Sequence, residues 1–329
     1  MNKRPSIKDV ASLAGVSIST VSNVVNRSRP VSDEARARVE KAIDTLNYIP
    51  DISAQAIKTG RKRCIGFVVP DIANMFFASM IEAIEDTLAA EGYNLIVVNT
   101  KETPAREVDA ICTLTSGLVD ALIIAPTNHD KEVFETYIPA SFPVILVDRR
   151  IPEYERDMIL ISSHSAVYEG VARLIEMGHT KIGYIAGMRH LSTTVERLGA
   201  YKSALHDHGL KPDEGMVRYA NSMFNSANQC MPDLLAAGCT ALVVSNSIMT
   251  TDALNYLNNH SPEKRGEIAV IGFSDSRFDE HIHPSLPVVR QPTIQMAKKA
   301  AEQILYRIKN PNSATKEIIL YSTFLERNL

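Results

Sequence analysis

Four polar side chains recur at helical spacing near the N-terminus. Ser19, Ser22, Asn23 and Asn26 fall at i, i+3, i+4 and i+7, so they share one face of a helix. Asn can form two hydrogen bonds with adenine in a major groove, Ser can bond to several bases, and an exposed Ile18 can pack on a thymine methyl group. The pattern indicates recognition of DNA bases, and Ile18, Ser19 and Asn23 are the candidate base-contacting residues. The alternative is a solvated face on a small structural bundle.

Three short helices are predicted to position this face. The first begins after Ser6 and ends at Gly15, the second runs from Ser17 to about Val25, and the third begins at Ser32. Each carries one apolar stripe, so the three helices can share a small core. Two helices joined by a tight turn, the second with a polar outer face, form a helix-turn-helix that can enter a major groove.

The charge of the chain is unevenly distributed. The formal net charge is -3, but residues 1–63 carry a net charge of +6 and the remaining residues a net charge of -9. A basic head suits contact with phosphates, and a polyanion would repel the acidic body. The distribution favours nucleic-acid binding by the head alone.

From residue 64 onward, short apolar runs alternate with amphipathic helical segments. This order is typical of parallel sheets with helices on both faces. After Val288 we expect a strand, a helix from Ile294 to Lys309 and one further strand, EIILYSTF. The runs that predict strands are CIGFVVP, YNLIVVNT, ALIIAP, VILVDRR, KIGYIAG, MVRYA, ALVVSN and IAVIGFSD. Their order predicts two doubly wound lobes, and small ligands bind in a cleft between such strand ends.

Several functional classes lack sequence support. No strand is followed by GxGxxG or GxxxxGK[ST], and no Ser, Cys or His lies in a recognised nucleophile motif, so neither an enzyme nor a bound cofactor is expected. The four cysteines are widely spaced, which argues against disulfides or a zinc site. The first residues lack an apolar signal segment and no long apolar run follows. We therefore expect a cytoplasmic protein without a membrane span, and not a secreted solute-binding protein.

The segment SIKDVASLAGVSISTVSNVVNRSRPVSDEARARVEKAIDTLNYIP resembles the DNA-binding head of the LacI/GalR (lactose and purine repressor) family. Similarity extends over essentially the whole chain through PDIANMFF, VDRR, VERLGAYKSAL, SNS, GFSDSRFDE and VVRQP. The resemblance implies a nucleoid-associated transcriptional repressor of carbohydrate-utilisation genes. Its core would be periplasmic-binding-protein-like, and a sugar-type effector would release it from DNA. The alternative is a sugar-binding protein or enzyme whose head is incidental.

The resemblance also implies a domain organisation. Residues 1–50 would form the helix-turn-helix domain, 51–63 a hinge and 64–329 the effector-binding and dimerisation core. Within the core, one lobe would comprise about 64–160 and 291–320, and the other about 161–290 and 321–329. The chain stops just after its last predicted strand, without a leucine-heptad tail. We therefore expect a homodimer that binds a pseudo-palindromic operator in double-stranded DNA.

Residues implied to contact DNA lie in the head and the hinge. Asn23 replaces the Arg found in most family members, so a guanine contact is expected to be lost. Ile57 stands where the family inserts an apolar side chain into a minor-groove step. Asp51 and Gln55 replace the family's usual Asn and Arg, which puts the strength of hinge docking in question. The complete implied set is Ser17, Ile18, Ser19, Thr20, Ser22, Asn23, Asn26, Tyr48 and Ile57.

A second implied set surrounds the cleft. Its polar members can pair with vicinal hydroxyls, and Phe224 is expected to stack on an apolar sugar face. The set comprises Asn74, Phe76, Asp148, Arg149, Arg197, Phe224, Asn246, Asp275 and Gln291.

Three arginines bear on the class of effector. Arg149, Arg150 and Arg197 would make the cleft more cationic than a neutral sugar requires, which keeps a sugar acid or a sugar phosphate open beside a neutral sugar. A purine is less favoured because few aromatic side chains are expected there. The acidic and histidine cluster at residues 279–283 is interpreted as structural and not as a metal site.

Overall fold

The computed structural model describes residues 5–26, 29–49, 61–264, 266–274 and 285–327, without the side chain of residue 26. The chain divides into two compact units, Met1–Lys62 and Arg63–Leu329. None of the described helices is long and apolar enough to cross a membrane.

The described residues of the head unit form three helices, α1 (Ile7–Ala14), α2 (Ile18–Asn26) and α3 (Asp33–Leu46). Helix α1 ends at Gly15, whose φ of 63° suits a residue without a Cβ atom. Ser17 precedes α2, and its Oγ accepts a hydrogen bond from the Thr20 backbone N–H at 3.1 Å. The small core shared by the three helices contains Val10, Ala11, Ala14, Val21, Val39 and Ala42.

The second unit contains two six-stranded sheets, which confirms the predicted fold class. The N-lobe sheet has the order β11-β5-β4-β3-β1-β2 and the C-lobe sheet the order β12-β10-β9-β8-β6-β7. The strands are β1 (Cys64–Val69), β2 (Asn94–Asn99), β3 (Ala121–Ile124), β4 (Val144–Val147), β5 (Asp157–Ser162), β6 (Ile182–Ala186), β7 (Val217–Tyr219), β8 (Ala241–Val244), β9 (Ala269–Ser274), β10 (Val288–Arg290), β11 (Glu317–Tyr321) and β12 (Thr323–Leu325). Every described pairing is parallel except β10 with β12.

Helices cover both faces of each sheet, as buried Val- and Ile-rich parallel strands require. The α-helices in the described part of this unit are α4 (Met75–Ala90), α5 (Pro104–Thr115), α6 (Lys131–Tyr137), α7 (His164–Glu176), α8 (Ser192–Asp207), α9 (Met231–Ala236), α10 (Ser247–His260) and α11 (Thr293–Lys309). Four further apolar clusters form the cores of the two lobes, one on each face of each sheet.

The prediction of one C-terminal strand, EIILYSTF, is wrong. The segment forms two strands: β11 pairs with β5 in the N-lobe sheet, and β12 pairs with β10 in the C-lobe sheet. Ser322 separates them, and its Oγ lies 2.9 Å from Ser163 Oγ at the other crossover. A single run of apolar residues therefore serves two cores, because the chain crosses between lobes in its middle.

Candidate functional site: a helix-turn-helix face and an interlobe cleft

Helix α2 carries the side chains predicted to read DNA bases. Ile18 is 45% exposed, and Ser19 is also exposed. Thr20, Ser22 and Asn23 are half-buried along the same helix. Burial of Val21 on the opposite side fixes which face of α2 points outward.

Other predicted DNA-contacting residues have different positions. Ser17 lies at the N-terminus of α2, where its Oγ is 2.7 Å from Ser19 Oγ and 2.9 Å from Thr20 Oγ1. Tyr48 is half-buried and packs against the head core beyond α3. Ile57 and the side chain of Asn26 lie outside the described residues.

A cleft lies between the two lobes and brings together seven of the nine predicted effector residues. The N-lobe contributes residues that follow β1 and β4, and the C-lobe contributes residues that follow β6, β7, β8 and β10. Carboxyl ends of parallel strands meet at one edge of a sheet, which explains the convergence. The seven are Asn74, Phe76, Asp148, Arg149, Arg197, Asn246 and Gln291.

Two asparagines in the cleft also cap helices. The Asn74 Oδ1 atom accepts a hydrogen bond from the Phe76 N–H at 3.0 Å, and Asn246 Oδ1 accepts one from the Met249 N–H at 2.8 Å. These bonds fix both side-chain amides at the N-termini of α4 and α10. Neither amide nitrogen has a hydrogen-bond acceptor among the described residues, so each can donate to a ligand.

Arg197 is held by the C-lobe. Its Nη1 donates to the Ser245 carbonyl at 2.6 Å, its Nη2 donates to Gln291 Oε1 at 3.2 Å, and its Cζ lies 4.4 Å from the centre of the Phe273 ring. The Nε–H is buried without a partner among the described residues. A buried donor of this kind is costly unless a ligand or water accepts its proton.

Asp148 carries the carboxylate of the cleft. It is 9% exposed, its φ is 65°, and no described donor forms a hydrogen bond with its carboxylate. Burial raises the pKa of Asp148 above its ordinary range, although Arg149 and Arg197 act in the opposite direction. The result is a constrained acceptor facing several donors, an arrangement suited to a hydroxylated ligand.

Two predictions made for this cleft from the sequence are corrected. Phe224 is 59% exposed and does not line the cleft; Ser222, two residues earlier in the same loop, does. The expected excess of positive charge is also wrong. Arg149 forms a buried ion pair with Glu102, and Arg150 forms a partly exposed ion pair with Glu317. Asp275 lies outside the described residues.

Sequence reasoning missed several residues of the site. Glu102 follows β2 by three residues, a strand-end position that could have indicated it, but no family motif does so. Thr193 and Thr194 lie in the first turn of α8, and Gly187 follows β6. Among the described residues, no group of three His, Cys, Asp or Glu side chains could hold a metal ion. The cluster at 279–283 lies outside them.

Fold and site together define a two-part regulator, with a helix-turn-helix head and a ligand-binding core. Residues 6–51 match the model described as bacterial regulatory proteins, lacI family, and residues 171–328 match a periplasmic binding protein-like domain. The chain is 31% identical to the transcriptional regulator GalR of Escherichia coli (strain K12), over 91% of this chain and 88% of that protein. It is also 31% identical to the transcriptional repressor PurR of Vibrio atlanticus, over 98% and 97%.

Solved structures of transcriptional regulators also resemble this chain. A complex of the transcriptional regulator CelR with cellobiose is 27% identical and covers 99% of both chains, with a TM-score of 0.71. The lac repressor dimer bound to operator and the anti-inducer ONPF has a TM-score of 0.84 at 24% identity, again over 99% of both chains. The protein belongs to the LacI family. It is a DNA-binding transcriptional repressor, and its relatives are regulators and not enzymes.

Proposed function

We propose that the protein is a cytoplasmic homodimer that represses carbohydrate-utilisation genes and leaves a pseudo-palindromic operator when a small sugar-type effector enters the cleft. The observation that carries the effector proposal is the set of polar groups on both lobes that form no hydrogen bond with another described residue. Asp148 provides an acceptor, and Arg197 Nε and the amides of Asn74 and Asn246 provide donors. A ligand that bonds to both lobes stabilises one lobe arrangement through differential affinity.

The relatives support this proposal without selecting one effector. CelR is described in complex with cellobiose, and a ribose operon repressor of Haemophilus influenzae is 30% identical over 98% of this chain. PurR is equally similar in sequence, so identity alone does not distinguish a sugar from another metabolite. Most residues that line the cleft are polar, which favours a hydroxylated molecule; Phe76 and Phe77 also line it and provide an aromatic surface for one face of a sugar ring.

The test is a panel of neutral sugars, sugar acids, sugar phosphates and purines, measured by thermal shift. A ligand that binds only the folded protein raises its melting temperature by mass action. Any stabilising compound is then added to the protein bound to a selected DNA site, with fluorescence anisotropy as the readout. We expect a sugar to stabilise the protein and to release the DNA.

Two variants test whether the stabilising compound binds in the cleft. Arg197→Ala should abolish stabilisation by the hit compound, whereas Arg150→Ala, which removes a partly exposed guanidinium beside Glu317, should preserve it. A compound that stabilises both variants equally binds elsewhere. A purine that releases DNA, or a sugar that tightens DNA binding, would contradict the proposed effector class or the proposed direction of control, respectively.

A further inference from the structure

Arg149 is held in the wall of the cleft by Glu102. Its Nη1 donates to Glu102 Oε2 at 2.8 Å and its Nη2 donates to Glu102 Oε1 at 2.5 Å, a two-pronged ion pair in which the side chains are 7% and 8% exposed. Nη1 also donates to the Pro126 carbonyl at 3.0 Å. The Nε–H of Arg149 is buried without a hydrogen-bond partner among the described residues, and the nearest carboxylate oxygen, Asp148 Oδ2, lies 3.6 Å away. Glu102 therefore fixes the guanidinium while leaving one donor available.

The backbone and its surroundings place Glu102 in this position. Lys101 and Glu102 both have a φ of 52°, a left-handed conformation that side chains other than glycine seldom adopt. The Glu102 N–H donates to the Pro70 carbonyl at 3.0 Å, and the Thr127 hydroxyl donates to Glu102 Oε2 at 3.3 Å. The turn after β2 is thus anchored to the loops that follow β1 and β3, and it directs a carboxylate at Arg149.

The loop that carries Pro126 and Thr127 is itself held by a second buried carboxylate. Glu107 accepts hydrogen bonds from the backbone N–H groups of Thr127 and Asn128. Burial raises the pKa of Glu107, and these hydrogen bonds act against that shift. Glu107 belongs to the support of the loop, whereas Glu102 bonds directly to the cleft arginine.

Charge in the cleft depends on Glu102. Arg149 and Arg197 are cationic, and Asp148 is the carboxylate that lines the cleft with them, so these three described groups carry one net positive charge when ionised. Glu102 cancels it.

We infer that Glu102 is a specificity-determining residue that makes the cleft select neutral hydroxylated effectors over anionic ones such as sugar acids and sugar phosphates. This inference rests on the proposed function, because it concerns the effector of the same cleft. It also explains how a site with two buried arginines can suit a neutral molecule: one guanidinium already has a carboxylate partner in the protein.

The chain contains a matched control for this ion pair. Arg150 and Glu317 form the same two-pronged arrangement, with Nη1 to Oε2 at 2.7 Å and Nη2 to Oε1 at 2.8 Å. Both side chains are partly exposed and neither lines the effector cleft, although Arg150 lines an adjoining cavity that shares Asp148 and Thr193 with it. Neutralising Glu317 removes the same charge from a similar pair outside the proposed site.

The experiment measures anion binding by isothermal titration calorimetry with inorganic phosphate and sulfate, at constant ionic strength, in four proteins. The wild type should bind neither anion measurably. Glu102→Gln, which keeps the side-chain shape, should bind them measurably, with an affinity at least about tenfold above the detection limit set by the wild type, since one compensating charge is removed from a low-dielectric site. Glu317→Gln should show no gain, and the double variant Glu102→Gln with Arg149→Gln should lose it. A Glu102→Gln protein that binds anions no better than wild type would overturn the inference.

A wild-type comparison keeps the test independent of how well the variants fold. Glucose, glucuronate and glucose 6-phosphate differ mainly in charge, as do ribose and ribose 5-phosphate. The neutral member of a pair should bind more tightly; tighter binding of the anionic member would overturn the inference. If no sugar binds but Glu102→Gln gains anion affinity, the proposed effector class fails while the role of Glu102 in setting charge stands.

Discussion

The Nε atom of Arg149 lies 3.6 Å from Oδ2 of Asp148, close enough for attraction between the charges but without a hydrogen bond. The two residues are neighbours in sequence and both face a cleft where their polar groups are only partly satisfied. Such groups reduce the stability of the free protein and become favourable when a ligand bonds to them.

Asp148→Asn is expected to raise the melting temperature at neutral pH while weakening effector binding. Burial raises the pKa of Asp148, so the ionised form is less favourable in the folded protein than in the unfolded chain. This cost is fully present above the folded-state pKa and is lost as pH falls through it. The gain in melting temperature should therefore shrink on acidification.

Calorimetry of both proteins between neutral and acidic pH tests this prediction. Glu317→Gln removes a partly exposed carboxylate whose pKa is lowered by Arg150, so it should not produce a gain. If the wild type had the higher melting temperature at neutral pH, the Asp148 carboxylate would stabilise the free protein, and the prediction would be wrong.

Arg307→Met is expected to destabilise the core by about 3–5 kcal/mol, because it leaves a buried charge unpaired. Arg307 forms a two-pronged ion pair with Asp157, whose side chain is fully buried, and also donates to the carbonyls of Ser313 and Ala314. Burial acts to raise the pKa of Asp157, but the hydrogen bonds from Arg307, Gln303 and the Lys316 N–H more than offset it, so the pKa is lowered.

Denaturant titration gives the free energy of unfolding directly. The stabilisation linked to Asp157 is present above its unfolded-state pKa and is lost as pH falls through its lowered folded-state pKa. Arg173→Met, which removes an exposed arginine paired with Glu326, should lower the free energy of unfolding much less, because solvent screens an exposed pair. If Arg307→Met and Arg173→Met lowered the free energy of unfolding equally, the result would contradict the prediction that loss of a buried ion-pair partner costs more than loss of an exposed one.

Asn23→Arg is expected to change the preferred operator from adenine to guanine at one position of each half-site. An arginine can bond to guanine O6 and N7, whereas asparagine pairs with adenine. Selection from random palindromes, followed by sequencing, measures the preference of both proteins. Thr45→Ala, on the exposed side of α3, should leave the selected sequence unchanged. An unchanged preference in Asn23→Arg would remove residue 23 from the proposed reading face.

Local periodicity predicted most of the helices and strands, because buried faces impose spacings of 3.6 and 2 residues, but β5, α6 and α7 were not predicted from the sequence. Positions at strand ends, together with the family resemblance, placed Asn74, Arg197 and Gln291 in one cleft. Phe224 was misplaced because the path of a loop is not fixed by any periodic pattern. The charge balance was misjudged because Glu102 and Arg149 lie 47 residues apart in sequence, and no local pattern links residues at that separation.

Effector-controlled operator binding is tested by the affinity of the full chain for a selected palindromic site and for a scrambled duplex, in about 0.15 M salt, by fluorescence anisotropy. We expect the selected site to bind about 10³-fold or more tightly. We also expect log affinity to fall linearly with log salt concentration. Addition of the sugar that stabilises the core should release the selected site. Equal affinity for the two duplexes, at every salt concentration and with or without the sugar, would contradict the assignment of this chain as an effector-controlled operator-binding repressor.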